Sequence, residues 1–381
     1  MPHWITDPAE LESRIAGRPQ RIGLDTEFIR ERTYWPQLAL VQIAIGGDAN
    51  DDGILLVDPL APGINDALRA LLTDTSVLKV MHSASEDLVA FKHACGVVPQ
   101  PLFDTQVAAA LSGIAAGIGY QRLVQDMLEV ALTKGETRSD WLRRPLSPAQ
   151  LEYAADDVRH LFALHDALDT QLQQLGRRDW LVEDCARMLA NAERDDLERW
   201  PHLSLRAAQF LDVAAQHRLL RLLRWRDVHA RESDRPRSWI LDNELAVLLA
   251  RDPPADPATL QRQLDAHPKA PRKLGDAVWQ ALQTPLGDEA GAPEPRNEDR
   301  DKQALRRLQE ATAARSAELG LPDGVLASRR WLELLLGNAA TGATEWPGPL
   351  SGWRRAQLEP VLAPLLATAS AGSGLATGTS V

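Results

Sequence analysis

The chain reads as an α/β domain built on a mixed sheet flanked by helices, followed by an all-helical C-terminal half. Three observations predict this. Short apolar strand runs alternate with helical periodicity over residues 1–190. From Leu205 onward only helical patterns occur, rich in alanine, leucine and arginine. The length of 381 residues is long for one domain and comfortable for two or three.

Asp7, Pro8 and Glu10 read as the N-cap, first turn and capping partner of an opening helix. Residues 21–28, 38–45 and 54–57 predict three strands, and their short connections predict an antiparallel meander. A helix is expected at 65–72, a short buried strand at 78–81 and a helix at 83–95. An edge strand at 97–102 precedes helices at 103–111, 120–130 and 148–176. This order suits a mixed sheet with helices packed on it.

In the helical half, residues 222–241 and 308–326 share a pattern. Ala230-Arg231, Pro236 and Ile240-Leu241 are echoed by Ala314-Arg315, Pro322 and Val325-Leu326. A repeat of about ninety residues is too long for a solenoid and predicts two copies of a small helical domain. Residues 285–298, rich in Pro, Gly and acids, read as a linker. Residues 368–381 carry no charge and read as a disordered tail. The expected domains are 1–190, 204–285 and 296–367.

Composition narrows the function. No apolar stretch is long enough to span a bilayer. The N-terminus lacks the basic start and apolar core of a secretory signal. Cys95 and Cys185 are far apart, without metal-ligand spacing, and are expected to be reduced, which places the protein in the cytoplasm. The nine histidines form no zinc-binding pattern, so a bound metal would take oxygen ligands, which favours Mg²⁺ or Mn²⁺. The net charge of -11 weighs against a nucleic-acid partner. Carboxylates at a metal site would contribute to that total, however, and basic patches can coexist with it.

The chemistry starts at Asp25-Thr26-Glu27, inside an apolar strand. Side chains two apart in a strand share a face, so Asp25 and Glu27 point the same way. Like charges on one face resist burial unless a cation lies between them. Two more acidic positions complete a set. Glu86-Asp87 follows the 78–81 strand directly. In Tyr153-Ala154-Ala155-Asp156-Asp157 a helix puts Tyr153 and Asp157 one turn apart, and spacing alone does not choose between Asp156 and Asp157. Four carboxylates from separate segments suit two divalent ions and a phosphoryl displacement, with a tyrosine beside the attacking water.

These residues resemble the three exonuclease motifs of the DEDDy group, 3′-to-5′ exonucleases with an RNase H-like (DnaQ-like) fold. Phe103-Asp104-Thr105-Gln106 and residues 138–146, Arg-Ser-Asp-Trp-Leu-Arg-Arg-Pro-Leu, are similar to further segments of the ribonuclease D family. The resemblance covers roughly residues 20–175. It implies that Asp25, Glu27, Asp87 and Asp157 are metal ligands and that Tyr153 positions the water. It favours Asp157 over Asp156. The stretch from Leu222-Leu223-Arg224-Trp225-Arg226-Asp227 to Pro236 looks like an HRDC domain, and the family carries two in tandem. The second copy departs from the pattern, since Gln309 falls where Trp225 would be.

The resemblance implies an exoribonuclease that uses two divalent ions and releases nucleoside 5′-monophosphates from RNA 3′ ends, transfer RNA precursors above all. No protein partner is expected. Two alternatives are an exonuclease preferring DNA and a catalytically silent RNA-binding scaffold. Tyr34 and Trp35 are candidate stacking residues, or loop residues packed on a core. Arg138, Arg143 and Arg144 are candidate phosphate contacts. Arg224 and Arg231 stand for a basic cluster, 221–237, that reads either as a backbone-binding face or as a solvated one. His82 reads as a buried histidine with its hydrogen bonds satisfied.

Overall fold

A computed structural model describes residues 2–17, 19–46, 53–132, 135–136, 139–194, 197–268, 270–293, 298–340, 343 and 345–373. The chain divides into two compact units. The first comprises residues 1–29, 38–193 and 299–381; the second comprises residues 30–37 and 194–298.

The first unit is built on a six-stranded sheet of order β1-β4-β3-β2-β5-β6. Its strands are β1 (His3–Ile5), β2 (Arg21–Ile29), β3 (Gln37–Ile45), β4 (Ile54–Val57), β5 (Leu78–Met81) and β6 (Leu102–Asp104). β3 and β4 run antiparallel, whereas β2, β5 and β6 run parallel, so the sheet is mixed. β3 and β4 are buried almost throughout, as expected of strands covered on both faces. β1 pairs parallel with β4 and was not anticipated; three residues carry too little pattern to announce a strand.

Among the described residues of 1–193 lie eight helices: α1 (Pro8–Ile15), α2 (Ile64–Thr73), α3 (Ser85–Cys95), α4 (Thr105–Leu111), α5 (Tyr120–Leu128), α6 (Pro148–Arg159), α7 (Leu161–Leu175) and α8 (Arg178–Glu193). Asp7 caps α1 by accepting the Ala9 N–H at 3.0 Å, with Pro8 in the first turn. Glu10, expected as the capping partner, lies 3.8 Å from Arg14 instead. The edge strand lies at 102–104 rather than 97–102, because Asp104 ends β6 and caps α4. The single helix expected over 148–176 is two helices, broken at His160, whose φ of -107° leaves the helical range.

The second unit holds α9 (Val213–Glu232), α10 (Arg237–Ile240), α11 (Asn243–Arg251), α12 (Pro257–Ala266) and α13 (Gly275–Gln283). Leu219, Leu222, Leu223, Leu245, Leu249, Leu260 and Leu264 supply its core. Its limits exceed the expected 204–285. The proposed linker is partly built into it: Glu289 is buried and receives the Arg221 guanidinium, with Nε at 2.6 Å from Oε2.

The third expected domain, 296–367, is not a separate unit. After α14 (Glu298–Leu319), whose residues from Asp299 onward belong to the first unit, α15 (Arg329–Ala340) and α16 (Trp353–Ser373) follow. Leu308, Leu326, Leu332, Leu358 and Leu362 share one core with the sheet. α16 also continues through 368–373, so that part of the expected tail is helical; residues 374–381 lie outside those described.

Candidate active site

β2 carries the first two carboxylates. Ile22 and Leu24 are fully buried, and Gly23 lets neighbours close in: a Cβ there would sit 3.1 Å from Ala44 and 3.2 Å from Leu161. Asp25 and Glu27 follow on one strand face. Asp87 stands in the first turn of α3 and is buried. Asp157 lies in α6, which Ser147 and Gln150 start with a reciprocal capping box.

The four carboxylates repel one another. Burial raises the Asp25 pKa well above its ordinary value, and the charges of Asp87, Asp157 and Glu27 raise it further. Glu27 is pushed up to about 9, by burial first and then by Asp157 and Asp87. Asp157 is pushed up to about 7 by burial and by Asp87, against a lowering hydrogen bond from Tyr153. Asp87 is likewise raised to about 7 by burial, against a hydrogen bond donated by the Thr26 hydroxyl.

None of these shifts has a lysine or arginine among its causes. Carboxylates massed in this way form the oxygen donor set that a hard divalent cation needs, so the residues fit such an ion. They do not form a preformed cage: among the described residues no three Asp, Glu, His or Cys side chains are gathered closely enough to hold a metal.

Asp156 and Asp157 differ in their partners. Asp156 forms an ion pair with Arg159, and its carbonyl accepts the Tyr120 hydroxyl at 3.0 Å. Asp157 has neither contact and faces Asp87, Asp25 and Glu27.

Tyr153 is half-buried and donates its hydroxyl to Asp157. Burial and the surrounding carboxylates raise its pKa, so it stays protonated. Its ring is held from two sides. Trp141 packs against it with centroids 6.1 Å apart, and Gly135 lies so close that a Cβ there would be 2.7 Å from the ring.

Three positioning groups escaped sequence reasoning. Thr26 lies between two candidate ligands yet serves a third, Asp87. Trp141 belongs to the 138–146 motif, but nothing in that motif indicates a contact with Tyr153. Asp104 is fully buried and accepts four backbone N–H groups, from Ser83 at 3.2 Å, Ala84 at 2.8 Å, Gln106 at 2.8 Å and Val107 at 3.1 Å. It thereby fixes the turn that leads into α3. His82 is satisfied, as expected, with Nδ1 2.8 Å from the Thr105 hydroxyl and Nε2 3.1 Å from the Ile118 carbonyl.

The expected nucleic-acid contacts divide. Arg144 is not available: it grips Asp58 at 2.9 and 2.8 Å and the Ala39 carbonyl at 2.6 Å. Arg143 is exposed, and Arg138 lies outside the described residues. Tyr34 is buried and cannot offer a face to a base; its hydroxyl accepts from Arg231 at 3.0 Å and Arg237 at 2.8 Å. Trp35 is half-buried beside it, with the Arg231 guanidinium 5.5 Å from its ring centre. Arg224 is held by Asp288 at 2.8 Å and by the Arg199 carbonyl at 2.9 Å. The basic cluster therefore spends much of its charge inside its own unit.

The chain is similar to known proteins along nearly its whole length. Residues 2–173 match the family described as 3′-5′ exonuclease. Ribonuclease D of Xanthomonas oryzae pv. oryzae is 64% identical, over 97% of this chain and 100% of its own length. Ribonuclease D of Pseudomonas paraeruginosa is 37% identical, over 93% of this chain and 95% of its own. Among solved structures, Escherichia coli RNase D, described as an exoribonuclease involved in structured RNA processing, superposes with a TM-score of 0.82. It is 30% identical, over 97% of this chain and 99% of that one.

Proposed function

The chain belongs to the ribonuclease D family of 3′-to-5′ exoribonucleases, and from that premise we propose that Asp25, Glu27, Asp87 and Asp157 hold two divalent ions, Mg²⁺ or Mn²⁺. One observation carries this reading: carboxylates from three chain segments lie close enough that Asp87 and Asp157 raise the pKa of both Asp25 and Glu27, with no lysine or arginine among the causes. When bound, the ions supply Lewis-acid stabilisation of the phosphodiester and a lowered pKa for water.

The chain's own residues do the rest. Asp25 interacts with all three other carboxylates and would help hold the ions when they bind. Tyr153 keeps its proton, so its hydroxyl orients the attacking water rather than deprotonating it. Trp141 and Gly135 fix the direction of that hydroxyl. The product is a nucleoside 5′-monophosphate. The substrate is the 3′ end of structured RNA, with transfer RNA precursors foremost, by analogy with the structured RNA processing ascribed to the Escherichia coli enzyme. The two cysteines are buried and unbonded, which supports a cytoplasmic setting.

Asp25→Asn should lower mononucleotide release from labelled RNA by on the order of a hundredfold to a thousandfold. It should also weaken Mg²⁺ or Mn²⁺ binding in calorimetry. Near-normal release or unchanged binding would sink the metal assignment. Product analysis on a 3′-extended transfer RNA precursor, beside unstructured RNA and DNA, tests the substrate.

A further inference from the structure

Arg224 and Arg231, the arginines that stood out in the sequence, are held by neighbours in the second unit. That unit also contains a cleft of about 1410 Å³, lined by Arg30, Thr33, Arg235, Arg237, Trp239 and His267 among others. Pockets for single small molecules run to roughly 300–1,000 Å³, so this one suits an extended ligand.

Trp239 is 55% exposed, large for an indole. It belongs to α10, whose Ile240 is buried in a small core with Tyr34 and Ala230. The adjacent Arg237 is oriented by Asp227 and by the Tyr34 hydroxyl. Arg235 is exposed, and Arg30 directs its Nε to the Tyr34 carbonyl at 3.1 Å. Two acids also line the cleft. Asp242 caps α11 through the Leu245 N–H at 2.7 Å and lies 3.8 Å from His267, and Glu244 is exposed. An exposed aromatic beside guanidinium groups is the chemistry that holds unpaired nucleotides: a base stacks on the ring and phosphates meet the cations.

We propose that this cleft binds a run of unpaired nucleotides of the RNA substrate upstream of the scissile bond, with a base on Trp239 and phosphates at Arg235 and Arg237. The proposal rests on the exoribonuclease reading. The cleft contains none of the four carboxylates, so it is a binding site separate from the chemistry.

The test is fluorescence anisotropy of a 5′-labelled oligouridylate, with EDTA present to prevent hydrolysis, on the full chain. Trp239→Ala should weaken binding about tenfold or more, and Trp239→Phe should restore most of it. Arg235→Glu should reduce the slope of log affinity against log salt by about 0.7, whereas Arg262→Glu, the same charge change outside the cleft, should not. Wild-type affinity in Trp239→Ala and an unaltered slope in Arg235→Glu would overturn the cleft and leave the enzymatic reading standing. So would equal effects of Arg235→Glu and Arg262→Glu, or an oligoglutamate peptide that binds through Trp239 and Arg235 while RNA does not need them. Absence of oligouridylate binding by the wild-type chain would overturn the cleft, whereas the enzymatic reading is tested separately by mononucleotide release with Mg²⁺ present.

Discussion

Four acidic side chains and one phenol define the candidate site, and their pKa values make it testable without substrate. Glu27 titrates near 9, and Asp87 and Asp157 near 7, against ordinary values of 4.5 and 3.8. A carboxyl whose pKa is higher in the folded chain than in the unfolded one holds its proton more tightly when folded. From about pH 4 to about pH 9 the unfolded chain therefore carries fewer protons, and stability falls as pH rises. A divalent ion takes the place of those protons. The rise in Tm caused by Mg²⁺ or Mn²⁺ should accordingly be small near about pH 5.5 and larger near about pH 8.5. Melting curves with and without metal measure it, and a metal effect that does not grow with pH would count against these ligands. The acids themselves were legible because an Asp-x-Glu strand pair and a Tyr-x-x-x-Asp helix pair are local patterns. Thr26, Trp141 and Asp104 were not legible in these roles, because each acts on a residue distant in sequence.

At the scale of elements, strand cores were read well because they are apolar runs, while boundaries depended on contacts that no local pattern shows. The break between α6 and α7 carries no Pro or Gly. The His160 N–H instead donates to the Tyr120 hydroxyl at 3.2 Å, from another helix. Asp104 acts at the same scale. It joins the end of β6 to the turn before α3, where Ser83 takes a φ of 58°, a left-handed conformation costly for serine. Asp87 hangs from that turn. Asp104→Asn keeps one acceptor oxygen but sets an amide NH2 against the buried Ala84 N–H that Oδ2 accepts, and should destabilise the fold by about 1–3 kcal/mol. If the turn also positions Asp87, Mn²⁺ affinity measured by calorimetry under folding conditions should fall as well. Lower stability in urea with unchanged Mn²⁺ affinity would confine Asp104 to holding the fold.

For the whole molecule, the sequence suggested three domains in series, and the structure interleaves two units. Composition could announce a helical half, but not that its second segment shares a core with the sheet, because that depends on which apolar faces meet. The junction is specific. Asp184 of α8 accepts from Arg354 of α16 at 2.8 Å, and both are buried. Trp180 stacks on Trp353 with centroids 4.3 Å apart, and the Trp353 N–H donates to Glu183 at 2.9 Å. Arg187 also reaches Asp184, at 2.7 Å, so the carboxylate serves two guanidinium groups. Removing one partner of a buried pair leaves a charge without compensation, which costs about 3–5 kcal/mol. Asp184→Ala strands Arg354 and should fall in that range in urea unfolding. The pair Arg224–Asp288, with Asp288 more than a third exposed and screened by solvent, should by contrast cost little when Asp288 becomes Ala. If 299–381 were an appendage, Asp184→Ala would loosen that segment alone and leave the melting of the sheet unchanged. Because the two share a core, both should melt together at a lower temperature, which hydrogen exchange at β2 and α16 would report in one experiment.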